Sequence, residues 1–155
     1  MQTVNAMSDS DFLELCKSGN AKKVEEAILN GANVNAIDDD GWTALMHAAD
    51  AKTSEILLKH GANVNAKAND GSTALMYALE DDTAKILIEY GADVNARDSS
   101  GKTPLMYALD NDIAETLIEH GANVNARDNY GVTALMMAQG YPDIEDLLRY
   151  FGAES

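Results

Sequence analysis

Cysteine is almost missing from this chain of 155 residues. Cys16 stands alone, so no internal disulfide can form, which fits a reducing compartment. Asn-x-Ser/Thr glycosylation acceptors are absent altogether. No stretch approaches the run of about 18 apolar residues that a membrane-spanning helix needs. The polar segment Met1 to Ser10 lacks the apolar centre of a secretory signal. The chain is therefore expected to be soluble and cytoplasmic. Basic residues are scarce as well: 11 Lys and Arg stand against 26 Asp and Glu, a formal net charge of −15. Such a surface repels nucleic-acid phosphates and anionic membranes, which argues against both as partners and favours basic ones. The same charge also serves plain solubility, with no partner implied.

Catalytic motifs are missing too. There is no phosphate loop, no Gly-x-Ser-x-Gly and no His-Glu-x-x-His. Cys16 closes the apolar run Phe12-Leu13-Glu14-Leu15-Cys16 with no histidine nearby, and reads as a small buried hydrophobe rather than a nucleophile. The run Asp38-Asp39-Asp40-Gly41 invites a calcium reading, but an EF-hand loop needs ligands five, three and one residues before its glycine and a glutamate six after it. Here those places hold Ala36, Asp38, Asp40 and His47, so the motif fails at both ends. No cofactor and no metal site is expected, and the chain does not read as an enzyme.

What the sequence does have is a repeat. Gly-Ala-Asn/Asp-Val-Asn-Ala begins at Gly31, Gly61, Gly91 and Gly121, each thirty on from the last. Ten residues after each comes a second glycine, then Thr43, Thr73, Thr103 and Thr133, each followed two residues later by a Leu-Met pair. Each threonine suits the cap of a first helix, where its hydroxyl accepts from an orphan backbone N–H. Pro104 falls at the first helical position, where its missing N–H costs nothing. A second helix carries Ile56-Leu57-Leu58, Ile86-Leu87-Ile88 or Leu117-Ile118 and stops at a glycine suited to left-handed backbone. The stretch from Val34 to Thr43 is too rich in Asn, Asp and Gly for a helix and reads as a turn-rich finger. His60 and His120 hold the same place just before the stopping glycine, where an imidazole serves a helix C-terminus. Two units apart at about 10 Å per layer, they are too distant to share a metal.

A unit of this size cannot bury its own apolar face, so the units must stack. The boundaries read as residues 1–30 for an N-terminal cap unit, 31–60, 61–90 and 91–120 for internal units, and 121–155 for a C-terminal cap unit. All five form a single domain. The segments Asp98-Ser99-Ser100-Gly101-Lys102-Thr103-Pro104-Leu105 and Gly91-Ala92-Asp93-Val94-Asn95-Ala96 closely resemble the ankyrin repeat, and the resemblance runs from about Asp11 to Gly152. It implies an all-α solenoid of five stacked helix pairs with short β-hairpin-like fingers. It also implies a module that binds proteins through its fingertips and the concave face of its inner helices. Two departures stand out. The units fall short of the family's usual length of about 33 residues. The missing residues are expected between the helices, leaving a tight turn and a second helix of two turns. Thr-Pro-Leu-His becomes Thr-Ala/Pro-Leu-Met at Met46, Met76, Met106 and Met136, which predicts a methionine ladder packed between units.

Residues that vary between equivalent positions are free for recognition. By the family's geometry the concave side carries His47, Tyr77, Tyr107 and Met137, beside Asp50, Glu80 and Asp110. The fingertips supply Asp39, Asp40 and Trp42, then Asn69, Asp70 and Ser72, then Ser99, Ser100 and Lys102, then Asn129, Tyr130 and Val132. Exposed aromatics among carboxylates make a hot-spot pattern. The sequence thus points to a monomeric adaptor or inhibitor that captures a basic protein or peptide. The alternatives are a repeat scaffold with no ligand of its own, in which the tyrosines only pack, and a Met-rich binding groove.

Overall fold

The computed structural model describes residues 6–155 apart from Ala49. Residues 1–5, half of the polar N-terminal segment, and Ala49 lie outside the described residues. Among the described residues five helical pairs follow one another. The first is α1 (Asp9–Lys17) with α2 (Ala21–Leu29), and the second is α3 (Ala44–His47) with α4 (Ala51–Lys59). A single 3-10 turn, Ala74–Tyr77, precedes α5 (Asp81–Glu89). Then come α6 (Pro104–Tyr107) with α7 (Asn111–Glu119), and α8 (Ala134–Met137) with α9 (Pro142–Tyr150). Each unit packs on its neighbours in sequence: α2 on α4, α4 on α5, α5 on α7, α7 on α9 in one layer, and the inner turns on one another in a second. That is the translation expected of a solenoid.

Each inner turn starts after its threonine, as the caps predict, but only Thr43 and Thr133 accept the capping bond, from Met46 N–H (3.2 Å) and Met136 N–H (3.3 Å). Thr73 and Thr103 hold the position without that bond. Outer helices end where the glycines require. Gly91, for example, has φ +93, a left-handed conformation that disfavours any side chain bearing a Cβ.

The tight turn expected between the helices is present, but the helix that shortens is the inner one rather than the outer. Outer helices keep nine residues, about two and a half turns, while the inner helix shrinks to one four-residue turn. The cause is local. Ala48, Ala78 and Ala108 leave the helix directly, with ψ of 126, 116 and 113. Two residues later Asp50, Glu80 and Asp110 already stand in extended backbone as caps of the outer helices. So short a span from threonine to acidic cap leaves room for one turn.

The core follows the stacking. Leu45, Leu75, Leu105 and Leu135 are buried, as are Met46, Met76 and Met106. The methionine ladder stops at Met136, which is 44% exposed because no further inner turn covers it. Ala78 and Ala108 are only half-buried, since they lie where the chain leaves the inner turn.

The fingers are turns rather than strands. Among the described residues the one β-bridge joins Ile37 and Thr43. Each finger closes on itself, as in Asp98 N–H to Lys102 O (3.0 Å) and Gly101 N–H to Asp98 O (2.9 Å), and each hangs from the one before it. Asn69 N–H donates to Asp40 O, Ser99 N–H to Asp70 O, and Asn129 N–H to Ser100 O, each at 2.9 Å. A second ladder runs through the Gly-Ala-Asn-Val-Asn segments. Asn95 Nδ2 donates to Gly121 O (2.9 Å) while its Oδ1 accepts from Asn123 N–H (2.8 Å). Asn35, Asn65 and Asn125 repeat the clamp. The earlier Asn or Asp of each segment bonds differently. Asn63 and Asp93 only accept, from Asn65 N–H (3.1 Å) and Asn95 N–H (2.9 Å). A carboxylate can replace the amide at the accepting place, whereas the clamp needs donor and acceptor together.

Candidate binding face

Three side chains of the inner turns reach back to their own fingers, and the acidic residue that meets them explains the local sequence. Asp38 Oδ1 accepts from Asp40 N–H (3.0 Å) and Trp42 N–H (2.9 Å), while Oδ2 meets His47 Nε2 at 2.8 Å. Desolvation raises the Asp38 carboxyl, but the bonds from His47 and the backbone outweigh it, so its pKa falls below the ordinary value. Asp38 thus spends both oxygens on the turn, while Asp39 and Asp40 beside it are exposed. Asp98 works in the same way: Oδ1 accepts from Ser100 and Lys102 N–H, and Oδ2 accepts the Tyr107 hydroxyl. Burial of that hydroxyl and the adjacent carboxylate push the Tyr107 phenol well above its usual range.

The intervening unit has Ala68 at this place, and a different pair takes over. Ser72 Oγ donates to Asp70, which leaves the Tyr77 hydroxyl to donate to Ser72 Oγ at 2.7 Å. The relay Tyr77–Ser72–Asp70 holds the Asp70 carboxyl below its ordinary pKa, chiefly through the Ser72 bond. Tyrosine hydroxyls are thus bonded internally, but their rings are not buried. Tyr77 is half-buried and Tyr107 exposed. Trp42 lies against Tyr77, centroids 4.2 Å apart, and against His47 at 5.3 Å. Among the described residues no ring contact joins Tyr77 to Tyr107, but Lys102 Nζ sits 5.7 Å from the Tyr107 centroid.

Hollows lie between neighbouring units on this face. One of about 470 Å³ is bounded by Trp42, His47, Tyr77, Leu79 and Glu80 over Met46 and Met76. Another of about 370 Å³ is bounded by Leu109, Asp110 and the start of α9. Leu79 is 90% exposed and Leu109 67%, at equivalent positions. Sequence reasoning missed both. A leucine after Leu-Met-Tyr-Ala looks like core until the backbone is seen to leave the helix at Ala78 and Ala108. The available signal was the repetition of leucine in a segment too short to be helical throughout.

One comparison bears on this arrangement. The family model for ankyrin repeats, which spans three copies, matches residues 12–98 and again 80–154. The chain belongs to the ankyrin-repeat family. No curated protein matches it. Ankyrin repeats are generally protein–protein interaction modules, and the family is typically non-enzymatic. No described helix is long and apolar enough to cross a membrane.

Seen as an ankyrin array, the sequence-derived positions divide by what their side chains already do. Asp39, Asp40, Asp70, Ser99, Ser100 and Tyr130 are exposed at the fingertips, and Trp42 and Lys102 are half-buried beside them. Glu80 and Tyr107 are exposed on the inner turns, with His47 and Tyr77 half-buried. Ser72, expected at a fingertip, is instead buried (3% exposed) and committed to Asp70 and Tyr77. Asn69 and Asn129 carry the finger ladder through Asp39 O (3.1 Å) and Ser99 O (3.0 Å). Asp50 caps α4 by accepting from Thr53 N–H (2.7 Å), and Asp110 caps α7 by accepting from Asp112 (2.9 Å) and Ile113 (3.1 Å). The thiol of Cys16 is buried among apolar neighbours, and that burial pushes its pKa up to about 12. At the far end of α7, His120 Nδ1 lies 2.7 Å from Thr116 O, the helix-end role its position suggested.

Proposed function

We propose that this ankyrin array is a non-catalytic capture module, an adaptor or inhibitor, that binds a basic protein or peptide across its concave face. Trp42, Tyr77, Leu79, Tyr107 and Leu109 supply apolar contact. Glu80, Asp70, Asp110 and the fingertip carboxylates of Asp39 and Asp40 supply charge. Ser99, Ser100, Lys102 and Tyr130 extend the surface along the fingers. The observation that carries this reading is the exposure of Leu79 and Leu109 beside half-open aromatic rings. Large solvated aliphatics grouped on one face and rimmed by polar groups mark contact sites. Stacking leaves most of the surface of both leucines in solvent, open to a partner. The charge of −15 favours a basic partner, opposes self-association, and disfavours nucleic acid and anionic membrane. The protein acts as a monomer in the cytoplasm, where its lone thiol stays reduced.

The test is capture from a native extract by the immobilised protein, followed by affinity measurement on the captured partner. Leu79→Ser with Leu109→Ser, and Tyr77→Ala with Tyr107→Ala, are each expected to weaken binding at least 30-fold, the hot-spot scale of about 2 kcal/mol. Circular dichroism checks that the fold is kept. A partner that binds both variants as tightly as the parent places the binding surface elsewhere.

A further inference from the structure

The binding face is not uniform along its length, and its variation points to a particular side chain of the partner. In the hollow between the second and third units, the Trp42 ring is tilted 39° to Tyr77 and 36° to His47. The polar atoms of this cluster are spent on the fold, His47 on Asp38 (2.8 Å) and Tyr77 on Ser72 (2.7 Å), so these residues line the hollow as aromatic surface. One unit further on, the Lys102 ammonium lies over the Tyr107 ring at 5.7 Å, whereas the Tyr77 ring has Trp42 against it. Lys102 has its equivalents in Ser72 and Trp42, neither of them a cation. Lys17 does reach the rim of the hollow, but its ammonium is held by Glu14 at 2.7 Å. Among the described residues no lysine or arginine lies over Trp42 or Tyr77.

Glu80 is the second irregularity. Its equivalents Asp50 and Asp110 use their carboxylates to cap the outer helices, whereas the Glu80 side chain makes no capping bond. It also takes no ion pair or hydrogen bond with any described residue, and it lines the hollow. A carboxylate unused by the fold, in a hollow lined by aromatic rings with no lysine or arginine over them, is complementary to a planar cation. Guanidinium is flat, weakly hydrated and able to stack on an aromatic face while donating to a carboxylate in its own plane. The apolar floor of Met46 and Met76 suits the methylene stem behind it.

We infer that the Trp42–Tyr77 hollow receives an arginine side chain of the basic partner, its guanidinium on the Trp42 face and its N–H groups on the Glu80 carboxylate. This rests on the proposed binding role of the face and names its anchor.

Trp42 is the only tryptophan, so its emission reports occupancy directly. The probes are the peptide acetyl-Gly-Arg-Gly-Arg-Gly-amide and its citrulline and lysine counterparts, titrated at low salt. The arginine peptide is expected to change Trp42 emission saturably. The citrulline peptide should bind at least tenfold more weakly and the lysine peptide several-fold more weakly. Glu80→Gln, a surface change that leaves the packing intact, should cost the arginine peptide at least fivefold in affinity. Equal binding of the citrulline peptide, no saturable change, or indifference to Glu80→Gln overturns the inference. If arginine-peptide binding is instead lost in Asp110→Asn or Tyr107→Ala and kept in Glu80→Gln, the anchor is misplaced while the binding face stands. If the captured partner ignores both face variants described above, the reading of the face itself fails.

Discussion

Asn95→Ala removes an exposed side chain, yet it should destabilise the protein measurably. Asn95 closes two bonds to the next unit: Nδ2 to Gly121 O at 2.9 Å and Oδ1 from Asn123 N–H at 2.8 Å. An intramolecular hydrogen bond contributes about 0.5–1.5 kcal/mol net. Both bonds are at the surface, where water can replace the lost partner, so the lower half of that range applies. Two such bonds put the expected cost at about 1–2 kcal/mol. Asn95→Asp should be at least as harmful. It keeps the acceptor but turns a carboxylate oxygen towards the Gly121 carbonyl, just past the partly negative C-terminal end of α7. Asp93→Asn, two positions earlier, should be nearly neutral, because only its acceptor is used. Asn35→Ala should cost less than Asn95→Ala, since its donor bond is longer, 3.4 Å. Urea unfolding followed by far-ultraviolet circular dichroism measures all four. An Asn95→Ala loss under about 0.3 kcal/mol, within ordinary surface noise, or an Asn95→Asp variant as stable as the parent, refutes the clamp.

Three further outcomes follow from the same structure. Leu105→Ala, at a buried inner-turn position, should cost about 2–5 kcal/mol in chemical denaturation. Gly71→Ala should destabilise more than Gly61→Ala: both have positive φ, but only at Gly71 would the new Cβ meet the next finger, 2.8 Å from Ser99 N. Equal thermal midpoints for the two would contradict this. Asp38 and Asp70 have folded pKa values below the ordinary 3.8, so their stabilisation is fully present above that pH and is lost as pH falls through the lower folded values. Acid unfolding should therefore steepen below about pH 4 and be shallower in Asp70→Asn, read from urea midpoints across pH.

The repeat was legible because equivalent residues recur at one spacing, and the threonine caps and stopping glycines follow from elementary backbone chemistry. Periodicity shows which residues are equivalent without showing where the chain turns. The ψ angle at Ala78 decides that Leu79 meets solvent, and an Ala-Leu pair carries no mark of it. The ties from His47 to Asp38 and from Tyr107 to Asp98 span nine residues and depend on the finger folding back over its own inner turn. That return also buries Ser72, whose neighbours in sequence are polar and turn-forming. Met136 shares its motif with three buried methionines and differs only in having no unit beyond it. The Asn ladder was hidden differently. The motif carrying it was plain, but its repetition was read as turn chemistry, when one of its two amides bridges units.

The central claim is that this ankyrin array binds through the face built by its inner turns and finger bases. Backbone amide chemical shifts of the labelled protein, recorded while a captured basic partner is titrated in, test it most directly. The largest changes are expected at Trp42, His47, Tyr77, Leu79, Glu80, Tyr107 and Leu109, weakening as salt is raised. Changes concentrated on the outer layer of α4, α5 and α7, with this row unmoved, would contradict it.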